Sequence, residues 1–239
     1  MIQFYAPEIE STGVLPEAES GHCCRVLRMK EGDHIFVTDG RGHRYECEIL
    51  EAHPKHTAVE ILTREAISPW WGFRLELCVA PPKNADRMEW LVEKAVEIGV
   101  DRIILMKCAR SERKALRTDR LEKIAVSAMN QSLKTFRTVI EGAVPFKDIV
   151  SEGFDGFRCL GYCDDAYPLR SFAREYHGGN VRILIGPEGD FTPEEVAMAV
   201  SNGYIPVTFG GSRLRLETAA LYAAVAAHVV GDNAALTNS

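Results

Sequence analysis

The sequence lacks any long apolar run and any disulfide framework. No stretch approaches the roughly 18 consecutive apolar residues of a membrane-spanning helix, and Met1-Ile2-Gln3-Phe4-Tyr5 shows no basic stretch leading into an apolar one. A cytoplasmic protein is therefore expected. Seven cysteines stand at 23, 24, 47, 78, 108, 159 and 163; they are odd in number and never form a C-x-x-C pair. They read as reduced residues, mostly in apolar stretches. His22-Cys23-Cys24 has no companion cluster at zinc spacing, so no metal is expected. Excess basic charge is also missing: the net charge is -6, which taken as a sum argues against a nucleic-acid partner. Internal repeats and low-complexity tracts are absent apart from an Ala-rich C-terminal stretch. The remaining composition, 46% hydrophobic and 26% charged over 239 residues, suits one large or two modest globular domains.

The charge is unevenly spread. Between Arg102 and Arg137 ten basic residues face three acidic ones, a basic segment that suits an RNA contact or a solvated helix face. Residues 1 to about 70 alternate polar and apolar in short runs, such as Tyr45 to Leu50 and Thr57 to Leu62. Gly32-Asp33 and Asp39-Gly40-Arg41-Gly42 supply turns between them. This pattern predicts a small β-barrel. Ser68-Pro69-Trp70-Trp71-Gly72 breaks the periodicity and marks a boundary, giving domains 1–71 and 72–239, with Trp70 and Trp71 expected to pack the two together.

Beyond the boundary, strands and helices alternate. Strands are expected at Arg74–Ala80, Arg102–Met106, Phe157–Cys163, Val181–Ile185 and Ile205–Phe209. Between them, Asp86 with Glu89 predicts a capping box opening a helix that Gly99 ends, and Thr118 caps another. Further helices start at Pro193 and about Leu216. Such alternation gives an α/β domain with a mostly parallel sheet covered on both faces. Ligands of these sheets bind beyond the carboxyl ends of the strands, here the loops after Ile185 and Phe209. Ala219-Ala220 and the Ala-rich run from Ala223 to Ala227 predict close helix packing, either internal or across a dimer.

The loop after Ile185 reads Gly186-Pro187-Glu188-Gly189-Asp190, followed by a full capping box, Thr192 with Glu195, and Pro193 at the first helical position. A glycine loop at a helix start can cradle phosphate, but Glu188 and Asp190 would repel one. A neutral or cationic ligand held by backbone groups fits better. The loop after Phe209 reads Gly210-Gly211-Ser212-Arg213-Leu214-Arg215-Leu216-Glu217-Thr218. Arg215 and Glu217 cannot share a helix face, so one can meet substrate while the other serves structure.

In these segments the chain resembles the small-subunit (16S) ribosomal RNA uridine-N3 methyltransferases of the SPOUT superfamily. The family patterns GPEGG and LGxRxLRxETA correspond to GPEGD at 186–190 and FGGSRLRLETA at 209–219. Further correspondences run in order through His22, Arg25-Val26-Leu27-Arg28, Gly32-Asp33, Asp39 to Gly42, Glu93 to Val100, Arg110-Ser111 and Asn130-Gln131-Ser132. The resemblance implies a PUA-like β-barrel followed by a SPOUT-type parallel sheet whose C-terminal chain threads a trefoil knot, and a homodimer. It implies S-adenosyl-L-methionine as cofactor, bound by Ile185, Gly186, Pro187, Glu188, Gly189, Phe209, Gly210, Leu214, Arg215, Glu217 and Thr218. Three places depart from the pattern: Asp190 replaces a glycine, Ser212-Arg213 replaces Arg and an aliphatic residue, and Asn130 and Lys134 replace Glu and Arg.

The implied reaction moves a methyl group to a uracil ring nitrogen in small-subunit ribosomal RNA, with alignment supplying most of the catalysis. No histidine stands in either loop motif; Arg215 is the candidate for stabilising the developing uracil anion, and the base is unassigned. Arg25 and Arg28 on the barrel, and Arg110, Arg113, Gln131 and Lys134 on the catalytic domain, are the candidate RNA contacts. Glu93 and Glu97 read as solvated or fold-supporting. Another SPOUT activity (ribose 2'-O or guanine N1 methylation) and a non-catalytic RNA-binding factor are the competing readings.

Overall fold

The structure, a computed structural model, describes residues 2–112, 117–162, 167–168 and 170–237, with side chains given to residue 232. The expected RNA contact Arg113 and the cysteine Cys163 lie outside the described residues. Contacts divide the chain into two compact units, Met1–Trp70 with Val126–Arg137, and Trp71–Ala125 with Thr138–Ser239.

The first unit comprises β1 (Gln3–Tyr5), α1 (Ile9–Thr12), α2 (Glu17–Gly21), a π-helical turn (His22–Val26), β2 (His34–Thr38), β3 (His43–Glu51) and β4 (Ala58–Ala66). The strands form one sheet in the order β1-β2-β3-β4, parallel between β1 and β2 and antiparallel elsewhere. Strand alternation sends Tyr45, Cys47 and Ile49 inward, where they meet Phe4, Ile9, Leu15, Ile35 and Val37 in one core. The β2–β3 turn is closed by Asp39, whose Oδ1 accepts from the backbone N–H of Arg41 and of His43. At Gly42, with φ of 100°, an added Cβ would stand 2.5 Å from the Phe136 ring, so a residue without a side chain is required.

Phe136 belongs to a return segment that a single boundary at residue 71 does not anticipate. Residues 126–137 group with the first unit; Gln3 donates to the Lys134 carbonyl at 2.8 Å and Asn130 to Glu19 at 3.2 Å. Gln131 and Lys134, expected on the catalytic domain, therefore stand in the first unit.

The second unit holds β5 (Leu75–Val79), α3 (Ala85–Ile98), β6 (Arg102–Lys107), the start of α4 (Thr118–Gln131), β7 (Val139–Pro145), α5 (Phe146–Ser151) and β8 (Phe157–Gly161). It continues through α6 (Phe172–Glu175), β9 (Val181–Ile185), α7 (Pro193–Ser201), β10 (Ile205–Val207) and α8 (Leu216–Thr237). All six strands are parallel, in the order β10-β8-β9-β5-β6-β7. Every residue of β5 and β9 is buried, as expected of central strands covered on both faces. β7, α5 and α6 carry weak sequence signals and were not expected. The α3 cap also differs from expectation: Asn84, not Asp86, is the N-cap, and its Oδ1 accepts from the Asp86 N–H at 2.9 Å. Asn84 is extended, so the helix begins earlier and Arg87 falls in its first turn. Gly99 ends α3 at φ 108°, as its position predicts.

The Ala face of α8 is buried internally: Ala220, Ala223, Ala224 and Ala227 are fully covered, with α3, β5, β9 and α6 as its neighbours. Trp71 opens the second unit. It is buried there, edge-on to His228 at 5.3 Å and against Gly99, while Trp70 is exposed. Cys23, Cys47, Cys78 and Cys159 are buried free thiols; burial pushes Cys23 and Cys47 up to about 12.

Candidate functional site

Three adjacent strands end side by side. Gly161 of β8 is in register with Ile185 of β9 on one side and Val207 of β10 on the other, so the chain leaves all three at one level. The loops that follow enclose a cavity of about 860 Å³, within the range of small-molecule sites. Its walls are Ile185 to Glu188 and Asp190 from one loop, Thr208 to Arg215 from the other, with Gly161, Tyr162, Leu216, Ala219 and Arg87.

Local sequence fixes these walls. An added Cβ at Gly161 would sit 3.0 Å from the Phe209 ring, and one at Gly186 would sit 3.0 Å from Phe191. Both glycines thus let aromatic rings close in beneath the ligand space. Asp190 has φ of 61°, the left-handed region, and its Oδ1 accepts from the Phe191 N–H at 2.7 Å. Aspartate is among the few side chains that tolerate this region, so the departure from glycine leaves the turn intact. The next residues form the predicted capping box: Thr192 accepts from the Glu195 N–H and Glu195 accepts from the Thr192 N–H. The second Glu195 oxygen accepts from the Ala109 N–H at 2.8 Å, tying the β6 loop to α7.

The expected cofactor residues divide into two groups. Ile185, Gly186, Pro187, Glu188, Phe209, Gly210, Leu214 and Arg215 line the cavity. Gly189, Glu217 and Thr218 do not. Gly189 backs onto Arg110, whose guanidinium donates to the carbonyls of Gly189 at 2.9 Å and Phe191 at 3.3 Å. Arg110, expected to hold RNA, is thus engaged in clamping this loop. Glu217 is buried under the wall: its Oε1 faces Arg87 Nε at 3.7 Å, and its Oε2 is buried with no hydrogen-bond partner among the described residues. Arg215 is exposed at the rim, as is Arg213. Arg25 and Arg28 are exposed on and just after the π-helical turn, and Gln131 is exposed on the return segment.

Arg87 escapes sequence reading. It bridges Glu188 at 3.4 Å and Glu217 at 3.7 Å, linking the first loop to the start of α8. The only signal was its place near a helix start after a central strand, where side chains reach the carboxyl edge of the sheet. Gly161 and Tyr162 were likewise hidden inside an expected strand. Among the described residues no group of three His, Cys, Asp or Glu is arranged to hold a metal ion, and no helix is long and apolar enough to cross a membrane.

A family described as the RNA methyltransferase domain matches residues 71–228, and one described as the RNA methyltransferase PUA domain matches residues 15–62. The chain is 42% identical to a probable rRNA-methyltransferase from Porphyromonas gingivalis, with a TM-score of 0.91 over 98% of this chain and 99% of that one. It is 25% identical to a ribosomal RNA small subunit methyltransferase E from Neisseria gonorrhoeae solved with S-adenosyl methionine, with a TM-score of 0.85 over 97% and 98% of the two chains. The Bacillus subtilis protein of the same name is 26% identical over 91% of this chain and 88% of its own length. With two thirds of its length matched by the RNA methyltransferase domain and residues 15–62 by the PUA domain, this chain belongs to the RNA methyltransferase domain family.

Proposed function

We propose that this protein is an S-adenosyl-L-methionine-dependent methyltransferase of the SPOUT type acting on uracil N3 in small-subunit (16S) ribosomal RNA, working as a cytoplasmic homodimer. The observation that carries the reading is the cavity over the ends of β8, β9 and β10, walled by two glycine loops and acidic at one side. The residues fit the cofactor. Gly186 and Gly210 offer main chain at close range, and Glu188 and Asp190 favour a cationic ligand over a phosphate. The relatives named ribosomal RNA small subunit methyltransferase E support the substrate class.

Bound there, the cofactor supplies an electrophilic methyl group on a sulfonium. The chain's contribution is to position and to balance charge. The two loops fix the donor, and Arg215 at the exposed rim stabilises negative charge on a uracil ring as its N3 proton leaves. Arg25 and Arg28 on the first unit grip RNA phosphates, with Gln131 and Lys134 on the return segment. The trefoil threading implied by the family resemblance belongs to the same proposal.

The dimer is supported by α8, whose outer face exposes Tyr222, Val225 and Val229 at helical spacing. Val225→Asp is expected to convert the wild-type dimer into monomer in light scattering; a monomeric wild type that is fully active refutes this part. The activity is tested by transfer of label from S-adenosylmethionine to small ribosomal subunits from cells lacking the enzyme, followed by nucleoside analysis. Labelled N3-methyluridine is the expected product, with Arg215→Ala lowering kcat at least tenfold. Another labelled nucleoside reassigns the target atom, and no transfer at all rejects the reading.

A further inference from the structure

The cavity wall carries Arg87 and Glu188, and Glu217 lies buried beneath it. Arg87, in the first turn of α3, stands 3.4 Å from Glu188 on the first loop and 3.7 Å from Glu217 at the start of α8. Glu217 is nine-tenths buried, and one of its oxygens has no hydrogen-bond partner among the described residues. These three charged groups, on three separate elements, sum to one negative charge, with Arg87 pairing both carboxylates; Asp190, Arg213 and Arg215 complete the charged lining of the cavity.

We infer that Arg87 is the internal counter-ion of this site, a positioning residue that sets how strongly the cavity prefers a cationic methyl donor over the neutral product. This rests on the reading of the cavity as the S-adenosylmethionine site. In the reaction the sulfur–methyl bond breaks with its electron pair staying on sulfur, a nitrogen–methyl bond forms, and the N3 proton leaves to solvent. The sulfur thereby loses its positive charge, while the amino-acid and adenosine portions are unchanged. The ratio of donor to product affinity therefore reports the wall's charge at that one atom, since every shared contact cancels. Without Arg87 the site would be more negative by one charge and would hold the sulfonium harder relative to the thioether. With it, preference is moderated and spent donor can exchange for fresh.

The test is calorimetric titration of S-adenosylmethionine, its demethylated product S-adenosylhomocysteine, and sinefungin, in which carbon replaces the sulfur and an ammonium group replaces the methyl. Arg87→Met is expected to raise the donor-to-product affinity ratio roughly tenfold, from Coulomb interactions at several ångströms in a partly wet site. Sinefungin should follow the donor, and Arg87→Lys should restore the wild-type ratio. Glu188→Gln, on the half-exposed loop, should move the ratio several-fold the other way, and the double variant should return it toward wild type. If Arg87 only staples two elements together, both affinities fall in parallel and the ratio stays fixed in all variants, which overturns the inference. Wild-type protein that binds none of the three ligands instead overturns the reading of the site. Should Arg87→Met fail to fold, Glu188→Gln alone decides between these outcomes.

Discussion

Arg110 makes a loop contact that its place in a basic segment does not reveal. Its guanidinium meets two main-chain carbonyls of the 186–191 loop, and charge-assisted bonds of this kind contribute about 1.5–3 kcal/mol when well buried. Arg110 is exposed, so a value below that range, about 1 kcal/mol, is appropriate after screening. Arg110→Ala is expected to raise the KM for the methyl donor about five-fold while leaving the salt dependence of RNA binding unchanged. Arg25→Ala should do the reverse, lowering the slope of log K against log salt by about one. Salt titrations in which Arg110→Ala also flattens the slope would return Arg110 to the RNA-contact set. Asp190 makes a second residue-scale test. Its left-handed φ of 61° favours glycine, and its carboxylate bonds the next N–H. Asp190→Ala should therefore lose about 1 kcal/mol in urea unfolding, because it keeps the strain and drops the bond, whereas Asp190→Gly should be close to neutral.

At the scale of elements, the start of α7 unites helix capping with loop architecture. Thr192→Ala removes one capping bond and should cost about 1 kcal/mol. Glu195→Ala removes the reciprocal bond and also the acceptor of the Ala109 N–H, so it should cost about 2–3 kcal/mol. Equal losses in a urea titration of the two variants would show that the link to the β6 loop contributes nothing. This cap was legible in sequence because Thr, Pro and Glu at fixed spacing act within one turn. The α3 cap was not: Asn84 and Asp86 are both good caps two residues apart, and the extended backbone at Asn84 selects between them. That shift brings Arg87 into the first turn, which is why the residue bridging Glu188 and Glu217 could not be picked out from its neighbours.

At the scale of the whole molecule, the amino ends of the central strands hold a charge network opposite in the sheet to the cavity. Glu76 on β5 is in register with Arg182 on β9 and Arg102 on β6. Glu76 is fully buried, bonds Arg182 at 2.6 Å and pairs with Arg102 at 3.3 Å, while Glu152 bonds the far side of Arg182 at 2.7 Å. Removing one member strands a buried charge, so Glu76→Ala should destabilise by about 3–5 kcal/mol. A loss under 1 kcal/mol in urea unfolding would mean water reaches Arg182. Parallel sheet, helix spacing and both glycine loops were readable from the chain alone, because alternation, periodicity and turn chemistry are set by residues within a few positions of one another; the family came from the resemblance of its loop motifs. Only the tertiary structure decided that residues 126–137 return to the first unit, that Arg110 clamps a loop, and that Arg87 joins two carboxylates 101 and 130 positions away. Those outcomes depend on which distant strand ends the fold places together, and no local spacing encodes that distance.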